Sequence, residues 1–586
     1  MPTVKYNHSD LKKIQARFGI NYSSKVLENI GDIGCSVEDN NEEEIEIEIF
    51  PDRADLLSPG TLCHASRTFL HGQKSNPELS IEPSGITVDV ETSLQKIRPI
   101  IYAAVVRNVE TGEDEEEINN FIQTIMEHQE KLHFSLGKRR SKASIGVHDL
   151  SEIKPNFRVT TENKKFKFTP LAMKEEMSIE EILTLHPKGI EYAHLLKGME
   201  KYPLIFDSNN SVLSFPPIIN GDHTTVKKTT KDFFIDVTGW DKRACECSLL
   251  LVCLELSSRG GKIESVEIND CNNQKIITPN GEGITHELTQ RLLETMLGKQ
   301  FTDEELNNAI TRMGGTFIGK FDAPTNSKEK SNRMGDIIKN DTILKIKMPR
   351  WRFDILHPID LVEEIAIGHG YEDLGTDVPK TPLSGGPLKT SNFTRRMTVC
   401  LQGLGLQQIT SLTLSNPDDQ FKNVRWNETE IATTLENPIT VDHTLLRTNL
   451  LPGLMRLLSA NKHNELPQKI YELGDVVRNN QNKSHASWLI ASASGGFSEG
   501  RGILQAIMRD MALEKFNINY ELKETKENHG PWLYGRGAEI FVSGIKVGEI
   551  GEIDPIISNN FELNVPIHGA ELYLDKLNEV VQDPIH

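Results

Sequence analysis

The chain has 586 residues, and no apolar run in it is long enough to cross a bilayer. Runs such as Leu249 to Leu254 fall far short of the ~20 residues a spanning helix needs. Seven cysteines (Cys35, Cys63, Cys245, Cys247, Cys253, Cys271 and Cys400) are odd in number and scattered, without CxxC spacing. That argues against a disulfide scaffold and leaves no zinc signature. Cys245-Glu246-Cys247 reads as part of a helix, where positions i and i+2 do not face each other. A phosphate-binding loop is also missing, since Gly495-Gly496-Phe497-Ser498-Glu499-Gly500 lacks the Gly-Lys-Ser/Thr that holds a nucleotide phosphate and reads as a turn. No Ser/His/Asp or Cys/His set stands out by local context. The first residues, Met1 to His8, include no apolar stretch suited to a secretory signal, so a cytoplasmic protein is expected.

Basic residues are outnumbered, 65 against 84 acidic, for a net charge of −19. That balance argues against a membrane-surface protein and against broad affinity for nucleic acid, DNA included. A local basic patch can still meet RNA, and Lys138-Arg139-Arg140-Ser141-Lys142 is the densest one. The length predicts roughly three to five domains of mixed α+β character.

Alternation in Ile45-Glu46-Ile47-Glu48-Ile49 predicts a half-buried strand within residues 1–85, followed by the turn-rich Pro51-Asp52-Arg53-Ala54-Asp55-Leu56-Leu57-Ser58. Residues 86–268 mix strands such as Ile100–Val106 and Phe233–Val237 with helices, the last rich in Leu and Cys and stopped at Gly260-Gly261. Polar loops carry Ile145-Gly146-Val147-His148-Asp149 and Ser214-Phe215-Pro216-Pro217-Ile218-Ile219-Asn220-Gly221-Asp222-His223. A third unit, 270–376, includes a Thr302–Glu305 capping box and a polar loop from Asp322 to Asp336. After a linker from Thr376 to Lys389, residues 390–586 form another α+β unit.

Four carboxylates gather where a strand, Ile343–Met348, passes into a helix starting at Pro358: Asp354, Asp360, Glu363 and Glu364. On that helix the last three stand at i, i+3 and i+4 and are expected to share a face. Two readings remain open on spacing alone. Oxygen-only ligands suit Mg2+ or Ca2+, whereas acidic residues in a first helical turn are stabilised by the helix dipole without any metal.

The order of these motifs, with Arg350-Trp351-Arg352-Phe353-Asp354-Ile355, Glu363-Glu364-Ile365-Ala366 and Leu446-Arg447-Thr448-Asn449-Leu450-Leu451-Pro452-Gly453-Leu454, resembles the β subunits of archaeal and eukaryotic-cytosolic phenylalanyl-tRNA synthetases across nearly the whole chain. The resemblance implies a B1-like domain at 1–85, a B3/B4 editing-type domain at 86–268, a B5 domain at 270–376 and a class II synthetase-like, catalytically inactive antiparallel-sheet domain at 390–586. It implies an α partner in an α2β2 tetramer, tRNAPhe as substrate, and hydrolysis of mischarged Tyr-tRNAPhe. Asp236 and Thr238 are then expected at the tyrosine hydroxyl, with His148, Ser214 and Asn220 around them. Asp354, Asp360, Glu363 and Glu364 are expected as ligands of a Mg2+ shared with α. A freestanding aminoacyl-tRNA deacylase and a non-enzymatic RNA-binding scaffold are the alternatives.

Overall fold

A computed structural model of the chain describes residues 2–325, 327–331, 333, 335–375, 385–427, 432–494, 496–511, 519–526 and 529–581. They form two compact units, 1–378 and 379–586. The expected loop from Asp322 to Asp336 and the expected linker from Thr376 to Lys389 lie partly outside the described residues.

The first unit opens with a three-stranded antiparallel sheet whose central strand is β1 (Glu44–Ile49). Ile45, Ile47 and Ile49 are fully buried and the glutamates between them point away, as strict alternation requires. The turn-rich run that follows is fixed by a buried pair, with Arg53 Nε and Nη2 each 2.8 Å from an oxygen of Asp55. Burial works against the charge, yet the guanidinium holds the Asp55 carboxyl at about 2. Ser58 then caps α1 (Pro59–Phe69), with Thr61 completing a capping box and Pro59 in the first turn.

A larger mixed sheet is built around β2 (Ile100–Arg107), β3 (Ala143–Asp149), β4 (Val212–Phe215) and β5 (Phe233–Gly239). From one edge to the other it runs Ile219–Asn220, β4, Tyr202–Phe206, Phe157–Glu162, Ile81–Val90, Lys262–Asn269, β2, β5, β3. Helices α2 (Glu115–Phe134) and α3 (Lys242–Ser258) pack on one face, over Phe233, Ile235 and Val237 of β5 and Ile145 and Val147 of β3. Period-two geometry therefore sends Phe234, Asp236 and Thr238 to the opposite face, with Ser144, Gly146 and His148. Every residue of β3 and β5 is buried, so four polar groups and a glycine line an otherwise apolar layer.

Helix α3 ends at Gly260, whose φ of +85° is the left-handed conformation glycine adopts without strain. Its Glu255 accepts from the Gly60 backbone N–H at 2.6 Å and from Arg259 Nε at 2.7 Å, tying α3 to the start of α1. One core runs from Val4 through α1 and α3 to Trp351.

Toward its end the first unit carries a second three-stranded sheet, centred on β6 (Thr342–Met348), and α4 (Pro358–His369). The expected Thr302–Glu305 capping box starts helix Asp303–Arg312, which packs with α4 over Leu344, Ile346 and Met348.

In the second unit a seven-stranded sheet runs Gln407–Gln408, Gln468–Arg478, Gln481–Ala491, Ile567–Tyr573, Ile545–Ile553, Trp532–Val542, Tyr520–Glu524, antiparallel except at its first pairing. Helices Lys389–Gly403, Phe497–Asp510 and Leu574–Val580 cover one face, and Leu451–Ala460 and Pro555–Asn560 the other. Gly496 stands at the N-cap of Phe497–Asp510, so the glycine-rich run read as a turn instead opens a helix, the backbone hydrogen bonds of the 14-residue element outweighing Gly500 within it. Gly495 lies outside the described residues.

Candidate functional site

Strands β3 and β5 pair antiparallel with Ser144 opposite Thr238, Gly146 opposite Asp236 and His148 opposite Phe234. Register thus places four side chains on three successive rungs, and the missing side chain at Gly146 makes room between them. A Cβ there would lie 2.3 Å from Asp236 Oδ1 and 2.7 Å from His148 Nε2. In that space His148 Nε2 stands 2.7 Å from Asp236 Oδ1, while His148 Nδ1 stands 2.8 Å from Thr224 Oγ1. Thr224 Oγ1 is also 3.0 Å from the Gly221 carbonyl, to which it donates.

Ser214 of β4 and Asn220 lie at the far edge of the sheet order, with Ser214 Oγ 3.2 Å from Asn220 Oδ1. The turn after Asn220 brings Thr224 to His148, so the two sheet edges meet across this contact. Arg140 adds a second bridge, donating to the carbonyls of Pro217 (3.2 Å) and Ile218 (2.9 Å) and to Glu130 (2.6 Å). Of the basic cluster, Arg140 is buried in this role while Lys138 and Arg139 are exposed.

On the third rung Thr238 Oγ1 lies 3.0 Å from Ser144 Oγ, and Arg98 donates to both, Nε to Thr238 at 2.7 Å and Nη2 to Ser144 at 3.0 Å. Burial pushes the Arg98 guanidinium down to about 10. Thr224, Gly146, Ser144 and Arg98 escape a reading of the sequence, because only strand register and sheet curvature bring them to His148 and Asp236. The one local signal was Gly146, a glycine in a strand pattern, which marks close approach.

The acidic cluster behaves otherwise. Arg352 donates through Nε to Asp354 Oδ1 at 2.9 Å and through Nη1 and Nη2 to Glu364 at 2.8 and 2.6 Å. Although burial opposes the charge, Asp354 and Glu364 hold the Arg352 guanidinium well above its ordinary range. Asp360 turns back over the helix start, accepting from the Leu356 and His357 backbone N–H groups at 2.7 and 2.6 Å, and Glu363 is exposed. The expectation that Asp360, Glu363 and Glu364 share one face of the helix is therefore corrected. Adjacent helix positions point about 100° apart, so Glu364 faces the core while Glu363 faces outward, and Arg352 supplies the cation the buried pair needs. Among the described residues no group of three or more His, Cys, Asp or Glu side chains is placed to hold a metal. The seven cysteines are all free and buried.

Comparison with known proteins agrees with the architecture. Residues 98–249 match the B3/4 domain, 286–371 the tRNA synthetase B5 domain, and 374–574 the family described as phenylalanyl tRNA synthetase beta chain CLM domain. The phenylalanine–tRNA ligase beta subunit of Methanosarcina barkeri is 37% identical over 98% of this chain and 99% of its own length. That of Pyrococcus abyssi is 33% identical over 98% of this chain and 100% of its own. The crystal structure of an N-terminal fragment of the Pyrococcus horikoshii beta subunit superposes with a TM-score of 0.54 at 31% identity, covering 63% of this chain and all of the fragment. No helix among the described residues is long and apolar enough to cross a membrane. With relatives matched nearly end to end and three characteristic domains in order, the chain belongs to the phenylalanine–tRNA ligase beta-subunit family.

Proposed function

We propose that the chain is the β subunit of a phenylalanyl-tRNA synthetase, assembled with an α subunit that charges tRNAPhe, and that it hydrolyses mischarged Tyr-tRNAPhe on the β3–β5 rungs. Its domains divide as 1–85, 86–268, 270–376 and 390–586. The observation that carries the editing reading is the hydrogen-bonded line Thr224–His148–Asp236 in the region matching a B3/4 domain.

His148 is fully buried and both its ring nitrogens are engaged, so no lone pair is left for a water molecule. It orients Asp236 instead. Asp236 Oδ1 is taken by the imidazole, and Oδ2 is the acceptor offered to a phenolic hydroxyl. Phenylalanine would leave that buried oxygen unpaired, which is how a site built for a hydroxyl rejects the analogue without one. With His148 committed, positioning of the attacking water falls to the terminal ribose hydroxyl of the substrate itself. Ser214 and Asn220 pair with each other one residue before Gly221, whose carbonyl accepts from the Thr224 hydroxyl.

The 390–586 domain supports assembly and does not activate an amino acid. Among its described residues the most buried Arg or Lys, Arg447, is closed onto Glu472 at 2.7 Å and onto Ser411 Oγ at 2.9 Å, and does not reach for a phosphate.

Preformed Tyr-tRNAPhe incubated with the reconstituted αβ complex should lose tyrosine about a hundredfold more slowly with Asp236→Ala, the scale expected when a hydroxyl-recognising group is removed. Unchanged release would sink the editing reading. Pyrophosphate exchange by the β chain alone would sink the assignment of 390–586.

A further inference from the structure

Arg98 is a buried guanidinium whose four hydrogen bonds all go to neutral oxygens: the Thr238 hydroxyl and carbonyl, the Ser144 hydroxyl, and the Arg140 carbonyl. Buried cations ordinarily sit against a carboxylate, because burial without one is costly. Arg53, Arg259 and Arg352 in the same unit follow that rule, held by Asp55, Glu255 and Glu364. Arg98 departs from it beside the rung that carries Thr238.

We infer that Arg98 is a positioning residue that turns the Thr238–Ser144 pair into a hydrogen-bond donor aimed at the substrate hydroxyl, which rests on the editing reading above. The protons on these groups fix the direction of each bond to Arg98. A guanidinium can only donate, so both hydroxyl oxygens must accept from Arg98. The two hydroxyls carry two protons between them, and their mutual contact at 3.0 Å consumes one. Whichever way that contact runs, one O–H is left over. It cannot return to Arg98, which has no acceptor, so it points into the face of the sheet that Asp236 shares.

The next rung, about 7 Å along the strand, holds the acceptor Asp236. A fixed acceptor and a fixed donor side by side match a group that both gives and takes a proton. A phenol is such a group, and a benzene ring leaves both partners unsatisfied. Selectivity for tyrosyl over phenylalanyl esters is thus built from two residues of opposite polarity, and Arg98 sets the polarity of one of them.

The αβ complex provides the test, by deacylation of preformed Tyr-tRNAPhe and Phe-tRNAPhe at saturating and subsaturating concentrations. Arg98→Lys keeps the charge but cannot reach both hydroxyls with a planar fork. It should lower the tyrosyl-to-phenylalanyl ratio of kcat/KM about tenfold, the scale of one misdirected hydrogen bond. Thr238→Val with Ser144→Ala, leaving Arg98 intact, should lower it by at least as much, and Arg98→Lys added to that pair should change it no further. A ratio that survives Arg98→Lys, or a loss in the triple variant that multiplies the two separate losses, overturns the inference. If Arg98→Lys does not fold, a ratio preserved in the Thr238→Val/Ser144→Ala variant overturns it equally. Unchanged tyrosine release by Asp236→Ala marks failure of the editing reading itself, whereas loss there with an unchanged ratio in Arg98→Lys marks failure of Arg98's role alone.

Discussion

Two clusters in the first unit put carboxylates against a nitrogen base, and they end in opposite states. Around Arg352, Asp354 and Glu364 are matched by one guanidinium with two forks of hydrogen bonds, and the charges close on each other. Around His148, Asp236 is matched on one oxygen only, and the next rung carries hydroxyls bound to Arg98. The first arrangement is a strut and the second retains unspent polarity. A carboxylate marks a site when its partners leave part of it unanswered, and crowding alone does not separate the two cases.

The largest effect should come from breaking the strut. Arg352→Met leaves two carboxylates inside without a cation and should cost about 3–5 kcal/mol in urea unfolding. Added Mg2+ should then raise the unfolding midpoint of the variant and leave the parent chain unmoved, because only the variant has lost its resident cation. A cost below about 1 kcal/mol would dissolve the distinction between the clusters.

Gly146→Ala attacks the other cluster by volume, with charge unchanged. Its Cβ would meet Asp236 Oδ1 at 2.3 Å, so the His148–Asp236 contact must open, at a cost of about 1–3 kcal/mol and with slower tyrosine release from Tyr-tRNAPhe. Normal release would show that the contact is not part of the site. Asp360→Ala removes the acceptor at the start of α4 and should cost about 1 kcal/mol by thermal unfolding. Smallest of all, Glu363→Ala should stay within about 0.5 kcal/mol, since the side chain is exposed. A larger loss would mean that Glu363 has a partner inside this chain.

Much of the fold was readable before any coordinates, wherever the signal was local. Alternation marked β1 and β6, a Pro in the first turn marked α4, and Thr302 with Glu305 marked a helix start, because each depends on neighbours within a few residues. Non-local pairing was not readable. His148 and Asp236 are 88 residues apart and meet only through register. Arg352 stood in plain view two residues before Asp354, yet its reach to Glu364 depends on how the loop turns into α4. The partner of His148 was a long-range fact, and the cation of the acidic cluster a matter of how one loop folds back.

The bond from Glu255 on α3 to the backbone of Gly60 on α1 bears on how the chain is made. The apolar face of α1 is completed by α3, and the roughly 170 residues between Phe69 and Lys242 take about 10–35 s to synthesise. For that interval the newborn N-terminal segment waits on the ribosome with its half of the core uncovered. Ribosome-bound chains stalled before residue 242 should recruit chaperones and be cut readily by proteases, and chains stalled far enough past 258 for α3 to clear the exit tunnel should resist both.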